Sequence, residues 1–333
     1  MHSKSSLKFA FARSESGDVV RNEKTHGLIA SIVAVFRVHG SARDSGGKVS
    51  FRTREKKFDV VAAAFRQLRQ LGFKVQDCHS LRGAHITALV KLWERQNLSA
   101  STIAGRLSVL RTFSKQIGKA GLVMPTAMYT NRAHRSTINT MDKSWPAHGV
   151  DIAAKIEEVR AFNPRIGAML DLQQVFGLRA GESIQFRPHA ADAYGGNIIC
   201  IRWGTKGGRE RFEPVETAEQ RRVLDQAKSF AKDLNSSVSD PKLSLKSARG
   251  FYWRTVARFG LTKRALGVTS HGLRHGFACD KYRQLTGQDA PVRGGGAVPE
   301  DLHRFAEDRI SRDCGHSRTA IVKAYIGGKG GKK

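Results

Sequence analysis

Apolar residues recur three and four positions apart through most of the chain, the spacing that lines one face of an α-helix. Val61, Ala64, Leu68 and Leu71 predict a helix over 58–71. Leu81, Leu89, Val90 and Trp93 predict a second over 80–95. A third is expected from a Ser101 N-cap, with Ile103, Leu107, Leu110, Phe113 and Ile117 on one side and Gly118 and Gly121 ending it. Further on, the pattern predicts helices at about 150–161 and at 164–176, where Gly177 stops the second. The period then changes. Asn197 to Trp203 and Arg209 to Val215 read as strands around the turn TKGG, a β-hairpin with Lys206 near its tip. Helical spacing returns at about 216–234, 246–259 and 271–285. A glycine-rich loop occupies 286–298, Pro299 is placed to open the next helix, and a short helical segment runs on to Tyr325. The expected fold class is mainly α with one small antiparallel hairpin, α+β.

The breaks in this pattern suggest the domain organisation. Residues 1–50 are polar and basic around the apolar run Leu28 to Val38, and 41–48 read as a loop. Residues 52–123 form a helical domain, 124–149 a linker marked by Pro125 and Pro146, 150–328 a second domain, and 329–333 a flexible glycine-lysine tail. The 333 residues are 40% hydrophobic and 26% charged, ordinary for a globular protein. The run at 28–38 is too short to span a bilayer, so no membrane partner is expected. The four cysteines form no CxxC pair, and the N-terminus has no signal-peptide pattern. Together these features point to a reducing cytoplasm.

Charge narrows the partner. Lys and Arg number 57 against 29 Asp and Glu, for a net charge of +28. The excess is shared, with +16 in residues 1–150 and +12 in 151–333. Such self-repulsion suggests a polyanion, and double-stranded DNA is the first to test. From Arg95 to Met141 there is no carboxylate among seven basic residues. Arg106, Arg111 and Lys115 avoid the apolar stripe of the third helix, either as a solvated face or as contacts to DNA phosphates. The missing carboxylates favour phosphates.

The chemistry-bearing strings lie in the second half. No P-loop and no GxSxG elbow is present. HGLRH at 271–275 could set His271 and His275 four apart as metal ligands. Gly272 stands where a zinc protease needs its glutamate base, however, and no third ligand is evident, so no metal or other cofactor is assigned. His271 and Arg274 share a helix face on which an imidazole and a guanidinium fork could hold one phosphate. FGLRAGE carries Arg179 and Glu182, and DCGHSR carries His316, with Tyr325 nine residues later.

The ordered set GLRAGE, hairpin lysine, HGLRH, GH and tyrosine resembles the tyrosine recombinases, the family of phage and genomic-island integrases. The resemblance covers about 150–328, and the helical region at 52–120 is similar to the family's core-binding domain. It implies a C-shaped clamp on DNA, with residues 1–50 as a possible arm-type or partner-binding segment. It further implies that Arg179 and Arg274 clamp the scissile phosphate and that Lys206 protonates the leaving 5′ oxygen. His271 and His316 would donate to the phosphate or move the nucleophile's proton. Tyr325 would form the 3′-phosphotyrosine, Glu182 would orient the site, and His275 would pack or position. Among five tyrosines, Tyr325 is chosen by its spacing from His316.

The implied activity is site-specific DNA recombination. The alternatives are a type IB topoisomerase-like strand-relaxing enzyme and a catalytically silent DNA-binding protein. Further expectations are a tetramer on DNA, accessory DNA-bending proteins and association with a bacterial nucleoid. The sequence departs from the family at three points. The 45-residue interval from His271 to His316 is long, and 286–298 is read as an insertion. Asp-Cys precedes Gly315 where an aliphatic residue is usual. Only eight residues follow Tyr325. The inserted region at about 286–310 or the first 50 residues are therefore expected to make the contacts between protomers.

Overall fold

The computed structural model describes residues 23–40, 49–131 and 138–328. The expectations for 1–22, for the loop 41–48 and for the tail 329–333 lie outside the described residues. The chain divides into two compact units at Arg135/Ser136, inside the expected linker.

The N-terminal unit is built from α1 (Glu23–His39), α2 (Phe51–Gln70), α3 (Gly83–Arg95) and α4 (Ala100–Gln116). Phe36, Phe58, Phe65 and Phe113 meet at its centre. Phe36 stacks on Phe113 at 5.9 Å and meets Phe58 edge-on at 5.5 Å. Here the structure corrects the expected boundary at residue 50. Leu28, Ile32, Val33, Val35 and Phe36 of α1 are buried in the same core as α2 to α4, so the apolar run at 28–38 belongs to this domain. Two helix starts also differ from expectation. α2 begins at Phe51, because Ser50 caps it by accepting from the Thr53 amide and the charged stretch RTREKK is helix-forming without an apolar period. α4 is capped by Ser99 rather than Ser101, its Oγ accepting from the Thr102 amide.

The C-terminal unit contains α5 (Ile152–Phe162), α6 (Pro164–Val175), the short α7 (Ala180–Ile184) and α8 (Pro188–Ala191), and the hairpin β1 (Ile198–Ile201) with β2 (Arg211–Pro214). They are followed by α9 (Ala218–Lys228), α10 (Leu245–Arg258), α11 (His271–Thr286), α12 (Glu300–Asp313) and α13 (Lys323–Ile326). The strands pair antiparallel, with Ile198 opposite Pro214 and Ile201 opposite Arg211. α9 stops at Lys228, short of the expected 234, with Ser229 as its C-cap, and Asp233 then turns the chain by accepting from the Asn235 and Ser236 amides. Pro299 stands just before the first residue of α12, and the segment to Tyr325 is broken by a turn at Gly315.

α11 is the axis of this unit and is buried on nearly every side. Gly272 is required there, because a Cβ would stand 2.6 Å from the Lys143 carbonyl and 2.8 Å from Trp145. The start of α11 packs into a large core with α5, α6 and α10, through Leu273. Its later turns build a second core with Ala290, Val298, Ala306, Ile310, Cys314, Val322, Tyr325 and Ile326. The loop 286–298 therefore supplies core residues as well as surface.

Candidate active site

The site forms where α7, α11, the turn after α12 and α13 converge. Arg179 caps α7, and Glu182 binds it twice, through the Arg179 amide at 2.8 Å and the Nη1 at 2.5 Å. Glu182 is fully buried and also accepts from Arg211 Nη2 at 3.1 Å, with Arg274 Nη1 at 3.9 Å. Burial opposes its charge, yet Arg211, Arg179 and Arg274 together hold its carboxyl below the usual carboxylate range.

Arg274 has no exposed surface. Its Nη1 donates to the Gly177 carbonyl at 2.5 Å, and its Nη2 to the Cys314 carbonyl. Arg179 Nη2 donates to that same Cys314 oxygen at 3.0 Å. One backbone oxygen thus collects both guanidinium groups. The cysteine that departs from the family pattern leaves this arrangement intact, its side chain being fully buried. The chain reaches this point because Gly177 and Gly315 adopt left-handed backbone angles. At Gly177 a Cβ would also collide with the Phe277 ring.

The remaining donor of Arg274, Nε, lies 3.3 Å from Tyr325 Oη, and the guanidinium sits 5.5 Å from the centre of the tyrosine ring. His316 Nε2 is also 3.3 Å from Tyr325 Oη and 3.3 Å from Arg274 Nη2. Desolvation first, then Arg274, Arg179, Lys206 and Arg211, push the His316 imidazole down to about 3. It is therefore neutral at physiological pH.

His271 opens α11 and is exposed, its ring 5.9 Å from the Tyr325 ring. Desolvation, then Arg274 and Arg179, push its imidazole down to about 4. His275 is buried 4.8 Å from the tyrosine ring, and its Nδ1 has no hydrogen-bond partner among the described residues. Burial, His271 and Lys143 take it down to about 3.

The structure therefore brings Arg179, Glu182, Arg274, His316 and Tyr325 into one bonded cluster, with the rings of His271 and His275 against the tyrosine. Lys206 is exposed in the turn between β1 and β2. Its charge reaches His316, but it stands outside the bonded cluster. Arg106, Arg111 and Lys115 are on α4 in the other unit. Arg106 stacks 5.1 Å over Trp93, Arg111 donates to the Val123 and Met124 carbonyls, and Lys115 is exposed. Of the competing tyrosines, Tyr252 and Tyr282 are buried, bonded to Gln173 and His303 respectively.

Sequence reasoning missed Arg211. It bridges Glu182 and Glu213 from inside the hairpin, its Nε 3.1 Å from Glu213 Oε1. Its signal was the alternation Arg-Phe-Glu in β2, which sets two opposite charges on one strand face.

Comparison with known proteins gives a consistent fold. A family model described as "Phage integrase, N-terminal" matches residues 37–123, and one described as "Integrase" matches 142–280. Together they cover more than half of the chain and include Arg179, Lys206, His271 and Arg274. No curated protein matches. Among solved structures, a lambda integrase(75–356) dimer bound to a COC′ core site has a TM-score of 0.59 at 15% identity, covering 91% of this chain and 96% of that one. A lambda integrase tetramer bound to a Holliday junction gives 0.59 at 15%, covering 97% and 86%. The Tn1549 transposon integrase in complex with circular intermediate DNA gives 0.53 at 14%, covering 90% and 95%.

Proposed function

The chain belongs to the phage integrase family of tyrosine recombinases, and on that premise we propose that it cuts and rejoins DNA at specific sites through a 3′-phosphotyrosine at Tyr325. The observation that carries this reading is the position of Tyr325 Oη, 3.3 Å from both Arg274 Nε and His316 Nε2. Arg179 and Arg274 converge on one oxygen, the Cys314 carbonyl, which is the kind of anchor a phosphate oxygen needs.

Tyr325 Oη attacks the scissile phosphorus as the P–O5′ bond breaks. The phenolic proton passes to His316 Nε2, 3.3 Å away, once the negative charge of the bound phosphate offsets Arg274 and Arg179 and raises the basicity of the imidazole. Lys206 delivers a proton to the departing 5′ oxygen once the hairpin turn meets DNA. Arg179 and Arg274 stabilise charge on the non-bridging oxygens, and Glu182 with Arg211 fixes the fork of Arg179. His271 donates to a phosphate oxygen from the start of α11. The phosphotyrosine conserves the ester, so attack by a 5′ hydroxyl reseals a strand with no nucleotide. In the free protein Tyr325 covers Arg274, so the incoming phosphate displaces its hydroxyl from Nε.

Residues on both units, including Lys115, meet DNA phosphates, and protomers assemble on the duplex as a tetramer. DNA-bending partners and a bacterial nucleoid setting fit this role. Among the described residues no helix is long and apolar enough to cross a membrane. The strand-relaxing and silent alternatives are not favoured by the integrase family models. The deciding experiment compares the chain with Tyr325→Phe in cells, capturing covalent DNA after detergent denaturation. The adduct should vanish while DNA binding persists. An adduct that survives, or maps to Tyr282 or Tyr252, overturns the assignment.

A further inference from the structure

The helix that carries Tyr325 cannot hold itself. α13 has four residues, and four of the eight that follow the tyrosine are glycine. Isolated helices of this length are unstable in water, so tertiary contacts must fix the nucleophile's backbone.

Those contacts come from a segment 186 positions earlier in the sequence. The Asn139 amide donates to the Lys323 carbonyl at 2.9 Å. The Asn139 side-chain Nδ2 donates to Met141 O at 2.6 Å and lies 3.4 Å from Tyr325 O. A Cβ on Gly327 would stand 3.2 Å from the Asn139 carbonyl, so the segment 138–144, a strap across α13, lies against the chain on both sides of the tyrosine. Asn139 is buried, and it lies four residues beyond the boundary between the units.

The strap is pinned three residues later, at Asp142. Arg293, in the 286–298 loop, donates from Nε to Asp142 at 2.8 Å and from Nη1 to Asp280 of α11 at 2.6 Å. The Ser144 amide and hydroxyl hold Asp142 from the other side. A closed frame results. It runs from α11 through Arg293 and Asp142 to Asn139, into α13, and back through Tyr325 Oη to Arg274 on α11.

We infer that Asn139 is a positioning residue for the nucleophile, and that the Asp142–Arg293–Asp280 bridge anchors the strap that carries it. The inference rests on Tyr325 being the nucleophile. In-line attack needs the phenol within about 3–3.5 Å of phosphorus, and a misplacement near 1 Å can cost roughly a hundredfold in rate. The frame fixes the tyrosine backbone through Asn139, independently of the hydroxyl contact with Arg274 that an incoming phosphate replaces. It also explains how a loop extra to the family pattern serves the reaction.

Asn139→Asp keeps the shape of the side chain but removes both donated hydrogen bonds and sets a carboxylate against two carbonyls. The probe is a nicked duplex of the sequence recovered covalently with the unaltered chain in cells. The variant should bind it within about twofold of the parent and form adduct at least tenfold more slowly. Arg293→Ala should behave likewise, with Arg293→Lys recovering part of the rate. Should Asn139→Asp fail to fold, the Arg293 pair carries the test. Unchanged adduct rates overturn the inference, as does parallel loss of rate, affinity and thermal midpoint. Failure of the unaltered chain to form any adduct overturns the reading beneath it instead.

Discussion

At the scale of single residues, the site is an economy of buried charge. Arg274 can be fully buried because Glu182, two backbone carbonyls and the tyrosine hydroxyl surround it. A guanidinium supplies that fork and an ammonium does not, so Arg274→Lys should abolish adduct formation and lower the thermal midpoint, checked by gel capture and calorimetry. Arg211→Gln leaves Glu182 with fewer partners and should slow adduct formation about tenfold at near-normal DNA affinity. His275 makes a pH prediction. Its folded pKa is depressed to about 3 by burial, His271 and Lys143, against about 6.5 unfolded. The unfolded chain therefore binds the extra proton between these values. The stability is complete above about pH 6.5 and falls as pH drops toward 3, by about 2 kcal/mol for this group at pH 5. Urea unfolding at pH 5, 6 and 7 should show a slope at least that steep, and His275→Gln should remove about that share while His271 and His316 keep theirs.

At the scale of elements, α11 and the 286–298 loop decide what can be changed. Gly272→Ala would press a methyl group into the Lys143 carbonyl and Trp145, at a cost of about 1–3 kcal/mol measured by denaturant unfolding. The loop was expected from sequence to be a surface available to a second protomer. Its Ala290 and Val298 are instead buried in the core that holds Tyr325, and Arg293 anchors the strap. Deleting 286–298 should therefore lower both stability and single-site cleavage, beyond any effect on synapsis. The glycines that suggest a free loop conceal this role, because burial of two small apolar residues leaves no periodic pattern.

At the scale of the whole molecule, +28 governs behaviour without DNA. Self-repulsion should keep the free chain monomeric, and phosphate neutralisation should permit assembly, which sedimentation with and without site DNA measures. Lys115→Gln should reduce the salt slope of DNA binding by about one unit. Arg111 is a poorer test of the same idea, since its fork already holds the Val123 and Met124 carbonyls and its loss would disturb the end of α4.

The mainly helical class, the hairpin and the order of the residues that meet in the candidate site were legible because each rests on local information. Periodicity marks helices, glycine marks turns, and the spacing of Arg179, Arg274, His316 and Tyr325 survives as a linear signature. Only the tertiary structure decided that α1 joins the first domain's core, that the Cys314 carbonyl gathers both arginines, and that Arg211 and Asn139 reach the site. A backbone oxygen carries no sequence signal. Asn139 lies 186 positions before Tyr325, and a contact over that distance is fixed by how the chain closes on itself rather than by any pattern along it.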